Sequence, residues 1–562
     1  MRQVKLALVA ASLSVIFSQA TQAAVYEIVE MPMEEISLRG FSSSVNSAGD
    51  VGLVATGVFN PPIDLSLIDF ENQTVIDGLT DIESARQGNF NAADLTFITS
   101  FIASESSTIS QQIANSQSYI VPAGATTAEQ VVFVPGFDEI DPDLNGYSRS
   151  TDTRIRFLSD SDIAVGSSEG KFNKTPYTNE SGNEITYITQ DFGSRAFVNI
   201  AGVNYGIAPE SDITGAVTEG FGINSNMLVV GYETVDPTAA RIAASANCAD
   251  EEARGDFPEE QCRQQLIEAG ILTAFQLRGA LWQMNDQGEV LDRRILGLHI
   301  TPAEDDSRIH ISRALAVNDA GVAVGEATDF FLEDENRPRT FAAVFRDDEV
   351  IGFTDHNEYF NSIAIDINNN NIVTGQATRT INGVNRTKFF IYDIATETVT
   401  YPNDFFPSSA SVARDINNNN MVVGEGEVDS SINVTRRDHG FLYNVDEDTF
   451  QNLNDLTACN TPYTIVQANS INDDNQIAAT AIVNRQSFNI KGEAVVDDNG
   501  EPVLEDAIIS VLLNPIPGGQ IDDCDEPEEE VDERSGGSVG WAATLLAGLV
   551  GLARRRQLKV TS

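Results

Sequence analysis

One segment of the chain, DPDLNGYSRSTD, comes close to a calcium-binding loop. Asp141, Asp143 and Asn145 stand at positions 1, 3 and 5 of the twelve-residue pattern, Gly146 at position 6 and Asp152 at position 12. Two departures weaken the match, an arginine at position 9 and an aspartate where glutamate is usual. We expect either a structural calcium ion on Asp141, Asp143, Asn145 and Asp152 or an acidic turn without an ion, and no other cofactor.

Serine and histidine residues give no catalytic constellation. GSSEG formally matches the nucleophile motif G-x-S-x-G with Ser168 at its centre, but that motif works on a strand-to-helix turn. Here the segment follows a turn within a repeat. His299, His310, His356 and His439 have no spacing typical of a metal site or a catalytic base. We therefore expect no catalytic residue.

The N-terminus is typical of an export signal. Arg2 and Lys5 precede an apolar stretch that is too short to span a bilayer, and small residues follow it. This pattern predicts a signal peptide over residues 1–23 with cleavage near Ala23. Since disulfides are stable outside the cytoplasm, the four cysteines can pair. Sequence proximity favours Cys248–Cys262 and Cys459–Cys524 among three pairings. A zinc site is disfavoured because no CxxC is present.

Composition restricts the partners. Asp and Glu number 84 against 34 Lys and Arg, which gives a net charge of −50. Such a surface repels nucleic acid and anionic membrane, so we expect neither as a partner. The hydrophobic content of 41% is ordinary for a folded protein.

The elements that would position any site come from an internal repeat. A turn segment recurs about seven times, and we number its positions from its first polar residue. Position 0 is Asn46, Ser159, Asn224, Asn318, Asn368, Asn417 and Asn472. Position −1 is always aliphatic, and position +7 is glycine in five copies. Position +3 is Gly or Asn in five copies, two residues that tolerate positive φ, which predicts a tight hairpin turn. Position −4 is small in most copies, as expected where strands converge on an axis.

An aromatic or aliphatic strand follows each turn segment, and a further polar turn leads into another strand, with almost no helix. The compact copies at Asn318, Asn368 and Asn417 are about fifty residues apart. This pattern predicts an all-β fold, a β-propeller of about seven blades over residues 24–518, in which the N-terminal strand completes the last blade. An open β-solenoid or two packed sheets is the alternative.

The repeat resembles the probable extracellular repeat named for its His-Ala-Phe triplet. GINSNMLVVG and DINNNNMVVG match the first half of its pattern, and RAFVN, HGFLYN and GALWQMN match the second. Several copies lack the triplet. The resemblance implies an extracellular β-rich array and brings no established activity.

Two spacings between turn segments are long and predict insertions at about residues 81–150 and 235–272. The second is rich in Ala, Glu and Gln, and we expect two short helices there, clasped by Cys248–Cys262. Such excursions gather on one face of a propeller and often carry recognition. Loops without a function are the alternative.

The C-terminal tail has an ordered set of features. An acidic linker at residues 519–535 leads into Gly536 and Gly537, an apolar run and three arginines. This order resembles the GlyGly-CTERM sorting signal of Gram-negative bacteria. The resemblance implies that residues 536–562 anchor the chain only transiently before a rhombosortase-type intramembrane protease cuts near Gly536–Gly537. It also implies export by type II secretion to the medium or the outer cell surface. A permanent single-span anchor is the alternative.

Together these features predict a non-enzymatic extracellular binding module for a protein or glycan ligand. With its repeat and its tail, the chain resembles a secreted gammaproteobacterial family of unknown function. A hydrolase or lyase acting on an extracellular polymer is the first alternative, and a structural surface protein is the second. Carboxylates, a histidine and an arginine at the channel mouth would favour the enzyme. A channel lined by small and apolar residues would favour the binding module.

Overall fold

The computed structural model describes residues 24–33, 35–105, 108–211, 213–303, 305–431 and 435–522, which belong to one compact unit that ends at Asp522. Strands dominate it, and seven antiparallel sheets of four strands follow one another along the chain. Each sheet is one blade, so the structure is the seven-bladed β-propeller that the repeat predicts.

The N-terminal strand is β1 (Tyr26–Glu30). Blade 1 contains β2 (Ser37–Val45), β3 (Val51–Val58), β4 (Ser116–Val121) and β5 (Val132–Val134). A small hairpin of β6 (Ile140–Asp141) and β7 (Gly146–Tyr147) follows. Blade 2 contains β8 (Thr153–Leu158), β9 (Ala164–Glu169), β12 (Ser194–Ile200) and β13 (Val203–Ile207), and a hairpin of β10 (Phe172–Thr178) and β11 (Glu184–Gln190) interrupts it.

Blade 3 contains β14 (Thr218–Ile223), β15 (Leu228–Val235), β16 (Gln276–Met284) and β17 (Val290–Ile295). Blade 4 contains β18 (Ser312–Val317), β19 (Ala323–Phe330), β20 (Pro338–Arg346) and β21 (Glu349–Gly352). Blade 5 contains β22 (Asn361–Ile367), β23 (Ile372–Ile381), β24 (Val384–Asp393) and β25 (Thr398–Thr400). Blade 6 contains β26 (Ser411–Ile416), β27 (Met421–Glu427), β28 (Asp438–Asn444) and β29 (Thr449–Asn452).

Blade 7 joins the two ends of the propeller. It contains β30 (Tyr463–Ile471), β31 (Ile477–Gln486) and β32 (Leu504–Pro515), and β1 is its outermost strand. Tyr26 lies opposite Pro515 and Glu30 opposite Val511 in the antiparallel register. The prediction that the N-terminal strand completes the last blade is therefore confirmed.

Seven apolar cores separate neighbouring blades, one at each junction. The one between blades 2 and 3, for example, buries Trp282 completely among Val165, Val198 and Val229. The first three helices share a core of their own, and the last three pack on one another and on the β10–β11 hairpin of blade 2. In chain order the helices are α1 (Gln73–Gly78), α2 (Ile82–Ala85), α3 (Ala92–Ser104), α4 (Ala239–Ala249), α5 (Glu251–Arg254) and α6 (Glu259–Glu268).

The sequence predicted the bounds of the second insertion more accurately than those of the first. The second lies between β15 and β16, and Cys248–Cys262 clasps α4 to α6, as predicted. The first extends from the end of β3 to the start of β4, and its helices begin at Gln73. The predicted range of about 81–150 was wrong at both ends, because the helices begin before it and because β4 and β5 lie inside it, where β4 pairs with β3 and β5 with β4 to complete blade 1.

Candidate functional site

The turn segments gather at one end of the propeller, which we call the turn face. Residues at or next to position 0 from all seven blades surround the channel opening there. At each of the six asparagines the side-chain Oδ1 accepts hydrogen bonds from the main-chain N–H groups of positions +2 and +4. Ser159 Oγ does the same in blade 2. Position 0 therefore caps its own turn.

The same asparagines also join neighbouring blades. Nδ2 of position 0 donates to the main-chain oxygen of position 0 in the next blade, at 2.8–3.3 Å, for Asn224, Asn318, Asn368, Asn417 and Asn472. In blade 1, Asn46 Nδ2 donates instead to Asp162 Oδ1 of blade 2, 3.0 Å away. We call these six contacts the asparagine ring.

Positions +1 and +2 add to the ring. The +1 main-chain N–H donates to the +1 side chain of the next blade at five junctions, as in Asn369 N–H to Asn418 Oδ1 at 2.9 Å. The +2 side chain donates to the next +1 carbonyl, as in Asn370 Nδ2 to Asn418 O. Each asparagine of a DINNNN run thus has its own hydrogen-bonding role.

Position +3 confirms the predicted turn conformation. Its φ is positive in all seven blades, including those of Asp162 and Met227, which the sequence pattern treats as exceptions. In blades 5 to 7 the +3 asparagine has a second role, because its Oδ1 accepts from the preceding position 0, as Asn371 does from Asn318 at 2.9 Å.

Position −2 forms a further set of junction contacts. Ser44, Asp366, Asp415 and Ser470 each accept the −1 main-chain N–H of the next blade. Between blades 2 and 3, within the described residues, positions 0, +1 and −2 make none of these contacts, because Ser159 lacks an amide and Phe157 is apolar. The turn-face hydrogen bonding is therefore interrupted at the blade 2–3 junction.

The opposite end, which we call the loop face, carries the long excursions of blades 1, 2 and 3 and the blade 7 loop. They contact one another. Lys174 of the β10–β11 hairpin forms an ion pair with Asp64 of the first insertion. On the other side, Gln190 N–H donates to Gln264 Oε1 of α6 at 2.8 Å, and Tyr177 Oη donates to Asp256 at 3.0 Å. Asn60 N–H donates to Ile490 O in the blade 7 loop. A connected cap thus covers blades 7, 1, 2 and 3.

A cleft of about 420 Å³ opens beneath this cap at the blade 2–3 junction. Arg154, Arg156 and Glu169 of blade 2 line one side, and Glu219 of blade 3 and Glu268 of α6 line the other. Arg156 Nη2 lies 3.4 Å from Glu219 Oε2, and its guanidinium stacks 4.4 Å from the centre of the Phe221 ring.

Glu169 is the titratable group that stands out in this cleft. Burial, and then the neighbouring Asp152 carboxylate, raises the pKa of Glu169 to about 7, while nearby Arg154 has a smaller, opposite effect. Its Oε2 accepts the Asp152 N–H at 3.2 Å. At neutral pH the Glu169 carboxyl group therefore exists in both protonation states.

The channel between the two faces is charged. Its charged lining residues include Arg414, which pairs with Glu425 at 2.5 and 2.6 Å, and also Arg154 and Arg156. Asp366 and Asp415 approach each other, and enclosure together with the Asp415 charge raises the pKa of Asp366 well above its usual value. The channel lining is thus mixed, because these charged side chains stand among many of the small and apolar residues that would favour a binding module. Within the described residues no histidine lines the cleft or the channel, so neither criterion from the sequence is met in full.

The residues of the predicted calcium loop have other contacts. Asp141 Oδ1 accepts the Asp143 N–H in the β6–β7 hairpin, where Asn145 has a positive φ. Asp152 Oδ1 accepts the N–H groups of Asn115 and Ser116 at the start of β4. Among the described residues no group of three or more His, Cys, Asp or Glu side chains is placed to hold a metal ion. Calcium stays a prediction.

Ser168 and the histidines lie apart. Ser168 is buried within strand β9 and donates to Glu169 O at 3.0 Å. His310 contacts Asp306, His439 contacts Asn452, and the His299 and His356 rings are 6.5 Å apart. Cys459 has a partner, but the predicted Cys459–Cys524 bond involves a residue outside the described ones. The processing residues Ala23, Gly536 and Gly537 are also outside them. No helix in the described ranges is long and apolar enough to cross a membrane.

The cleft residues were missed by sequence reasoning. Taken singly, they resemble ordinary polar residues of the repeat strands; they are Arg154, Arg156, Glu169 and Glu219. The sequence did contain a signal for the cleft. Charged residues stand at positions −5 or −3 of the first strand in only some of the blades. Blades 2 and 3, which have such residues, also carry long excursions.

Comparison with solved structures gives distant propeller proteins. A puromycin hydrolase mutant complexed with PGG is 10% identical, with a TM-score of 0.37 over 85% of this chain and 55% of its own. Acylaminoacyl peptidase of Pyrococcus horikoshii is 10% identical, with a TM-score of 0.36 over 85% and 54%. The β-propeller domain of the Trilobed protease from Pyrococcus furiosus is 10% identical, with a TM-score of 0.30 over 75% and 100%. The chain spans about half the length of the first two proteins.

No curated protein matches the sequence. A match to a protein family is nevertheless nearly complete, since it covers residues 3–556. The chain belongs to the family described as "Protein of unknown function (DUF3466)".

Proposed function

We propose that the protein is a secreted or surface-attached, non-enzymatic binding module whose ligand binds at the loop face. The observation that carries this proposal is the connected cap over blades 7, 1, 2 and 3, where Lys174 contacts Asp64 and Gln190 contacts Gln264. Excursions held together on a rigid scaffold are typical of recognition surfaces. The turn face, in contrast, uses its polar side chains to join blades.

Export and processing are part of the same proposal. The signal peptide is cleaved near Ala23, and a rhombosortase-type protease removes the tail near Gly536–Gly537 before or during type II secretion. The resemblance of the repeat to the extracellular His-Ala-Phe type, the resemblance of the tail to the GlyGly-CTERM signal and the export-type N-terminal pattern support this route. Intact-mass analysis of the protein from culture medium and from cells tests it. A mass that retains residues 541–562 would contradict tail processing.

The second candidate function is an extracellular hydrolase or lyase, and the titratable groups of the cleft favour it. Glu169, with its raised pKa, lies beside Asp152, and Arg154 and Arg156 share the same cleft. A carboxyl group that titrates near neutral pH can act as a general acid or base.

The experiment that separates the candidates uses protein purified from culture medium. In a binding assay, the protein is applied to an array of glycans and immobilised cell-surface proteins. In an activity assay, it is incubated with soluble polysaccharides, and new reducing ends and unsaturated products are measured. We expect retention on the array and no product. Product formation that Glu169→Gln abolishes would establish the enzyme instead. A large polymer on size-exclusion chromatography, with no retention, would indicate a structural surface protein.

A further inference from the structure

The blade 2–3 cleft has walls of mixed charge. Two guanidinium groups and several carboxyl groups share it with serine hydroxyls and the Gln190 amide, while Val217 and Ile267 are its apolar side chains. Since donors and acceptors alternate around the cavity, the walls can serve a ligand whose own groups both donate and accept. Hydroxyl groups have this property.

Part of this hydrogen-bonding capacity is not used within the protein. Arg156 Nε is buried and has no hydrogen-bond partner among the described residues. Arg154 is exposed, and its Nε lies 3.4 Å from Ser116 Oγ. On the facing side, Glu219 Oε1 accepts from Ser194 Oγ at 2.6 Å, while Oε2 lies 3.4 Å from Arg156 Nη2. An arginine donor on the blade 2 wall and a glutamate acceptor on the blade 3 wall are therefore both left for a ligand in the cleft.

The charge of the cleft and of the whole chain argues against an anionic ligand. The carboxyl groups of the cleft outnumber its two arginines, and the chain carries a net charge of −50. An anion would have to overcome this field, whereas an uncharged polar ligand would not. A peptide would need apolar pockets for its anchoring side chains, which Val217 and Ile267 alone do not make.

We propose that the blade 2–3 cleft binds an uncharged, hydroxyl-rich saccharide unit of an extracellular glycan, through Arg154, Arg156 and Glu219. This proposal rests on the proposed loop-face binding function and names its ligand class. Arg156 stacks on the Phe221 ring at 4.4 Å, which holds the guanidinium in place to donate to neighbouring hydroxyls.

The cleft lies at the junction between two blades. Its walls come from both blade 2 and blade 3, the junction at which the turn-face contacts are interrupted. A saccharide that contacts Arg156 on one side and Glu219 on the other bridges this junction. Ligand binding should stabilise the folded propeller by an amount set by the ratio of ligand concentration to Kd.

Calorimetric titration of the protein from culture medium tests the proposal. The probes are cello-, xylo-, malto- and chito-oligosaccharides, with oligogalacturonate as the acidic comparison. We expect at least one neutral oligosaccharide to bind, and Arg156→Ala and Glu219→Gln each to weaken it at least tenfold. Arg313→Ala, which changes an arginine paired with Glu326 outside the cleft, should leave affinity unchanged. The thermal midpoint of each variant without sugar verifies folding, and Glu219→Gln preserves side-chain shape.

The outcomes are distinct. Binding of no neutral oligosaccharide, preference for oligogalacturonate, or equal affinity in Arg156→Ala and Glu219→Gln would each overturn the saccharide site. If the protein then binds an extracellular protein through the loop face, the proposed function stands without this site. If it binds nothing on the array either, both fail.

Discussion

Asn417 donates from its side-chain Nδ2 to the main-chain oxygen of Asn472, 2.9 Å away, and this bond joins blade 6 to blade 7. The Oδ1 of the same Asn417 accepts the N–H groups of Asn419 and Met421 within its own turn. One buried amide therefore shapes a hairpin and holds two blades together. The asparagine-rich segments owe their composition to this double function.

The first prediction concerns that amide. Asn417→Ala removes two turn hydrogen bonds and two contacts to blade 7, to Asn472 O and Asn475 Oδ1, and we expect it to lower the free energy of unfolding by about 2–4 kcal/mol. Ser159→Ala is the matched control, because Ser159 caps its turn without joining blades 2 and 3, and it should cost about 1 kcal/mol. Thermal midpoints of the two variants measure the difference. Equal losses would contradict an inter-blade role for Asn417.

The second prediction concerns the interrupted junction. Ser159→Asn supplies an amide that can cap the same turn and donate towards Asn224 O in blade 3. We expect it to raise stability by about 1 kcal/mol, the usual net contribution of one hydrogen bond. A thermal midpoint that is unchanged or lower would mean that the blade 2–3 junction cannot accept the contact made elsewhere in the ring.

The third prediction concerns the glycine at position +7 of the repeat, which is Gly424 in blade 6. A Cβ on Gly424 would lie 2.0 Å from Val412 O and 2.9 Å from the Phe441 ring, so Gly424→Ala must displace backbone. We expect a loss of more than 3 kcal/mol or failure to fold. Gly321→Ala is the control, since its Cβ would meet Leu228 Cδ2 at an ordinary contact distance of 3.9 Å and only its φ of 79° opposes alanine. It should cost about 1 kcal/mol. Denaturant unfolding of both proteins provides the comparison, and similar midpoints would argue against steric crowding at Gly424.

The fourth prediction is a pH dependence from Glu169. Because its folded pKa is raised to about 7 from an ordinary value of 4.5, the native protein holds a proton that the unfolded chain releases. The stabilising contribution is complete below about pH 4.5 and is lost as pH rises through 7. Glu169→Gln mimics the protonated form. We expect it to match the natural protein at pH 4.5 and to exceed it by on the order of 2 kcal/mol at pH 8, allowing for partial solvent exposure.

Thermal midpoints of the natural protein and Glu169→Gln at both pH values test this expectation. A constant difference between the two proteins across this range would show that Glu169 titrates normally. Glu268→Gln, on α6 at the edge of the same cleft, controls for the general effect of removing one negative charge from a strongly acidic protein.

The repeat made most of the fold predictable, because turn chemistry is local. The positive φ of Gly321 and Asn371 follows from residue type, and the same pattern located the turns of Asp162 and Met227 despite their unfavourable side chains. The bonds between blades were not predictable, since the asparagine of one turn meets a carbonyl about fifty residues away only after the ring has closed. The first insertion was misjudged because β5 (Val132–Val134) is too short to give a periodic signal.

The cleft was beyond sequence reasoning for a similar reason. Arg156 and Glu219 lie on the first strands of different blades, and nothing local to either predicts that they approach to 3.4 Å. The disulfide Cys248–Cys262 could be predicted from the sequence, because its two residues are close in sequence and lie in the segment where helices were predicted.

Hydrogen exchange with a ligand bound tests the central claim, that the loop face binds and the turn face holds the ring together. The protein from culture medium is labelled with and without the array-selected ligand at saturating concentration. We expect slower exchange in residues 152–156, 167–169, 217–219 and 264–268, around the cleft, and no change in residues 368–372 and 417–421. Protection of the turn segments with no change around the cleft would contradict the account.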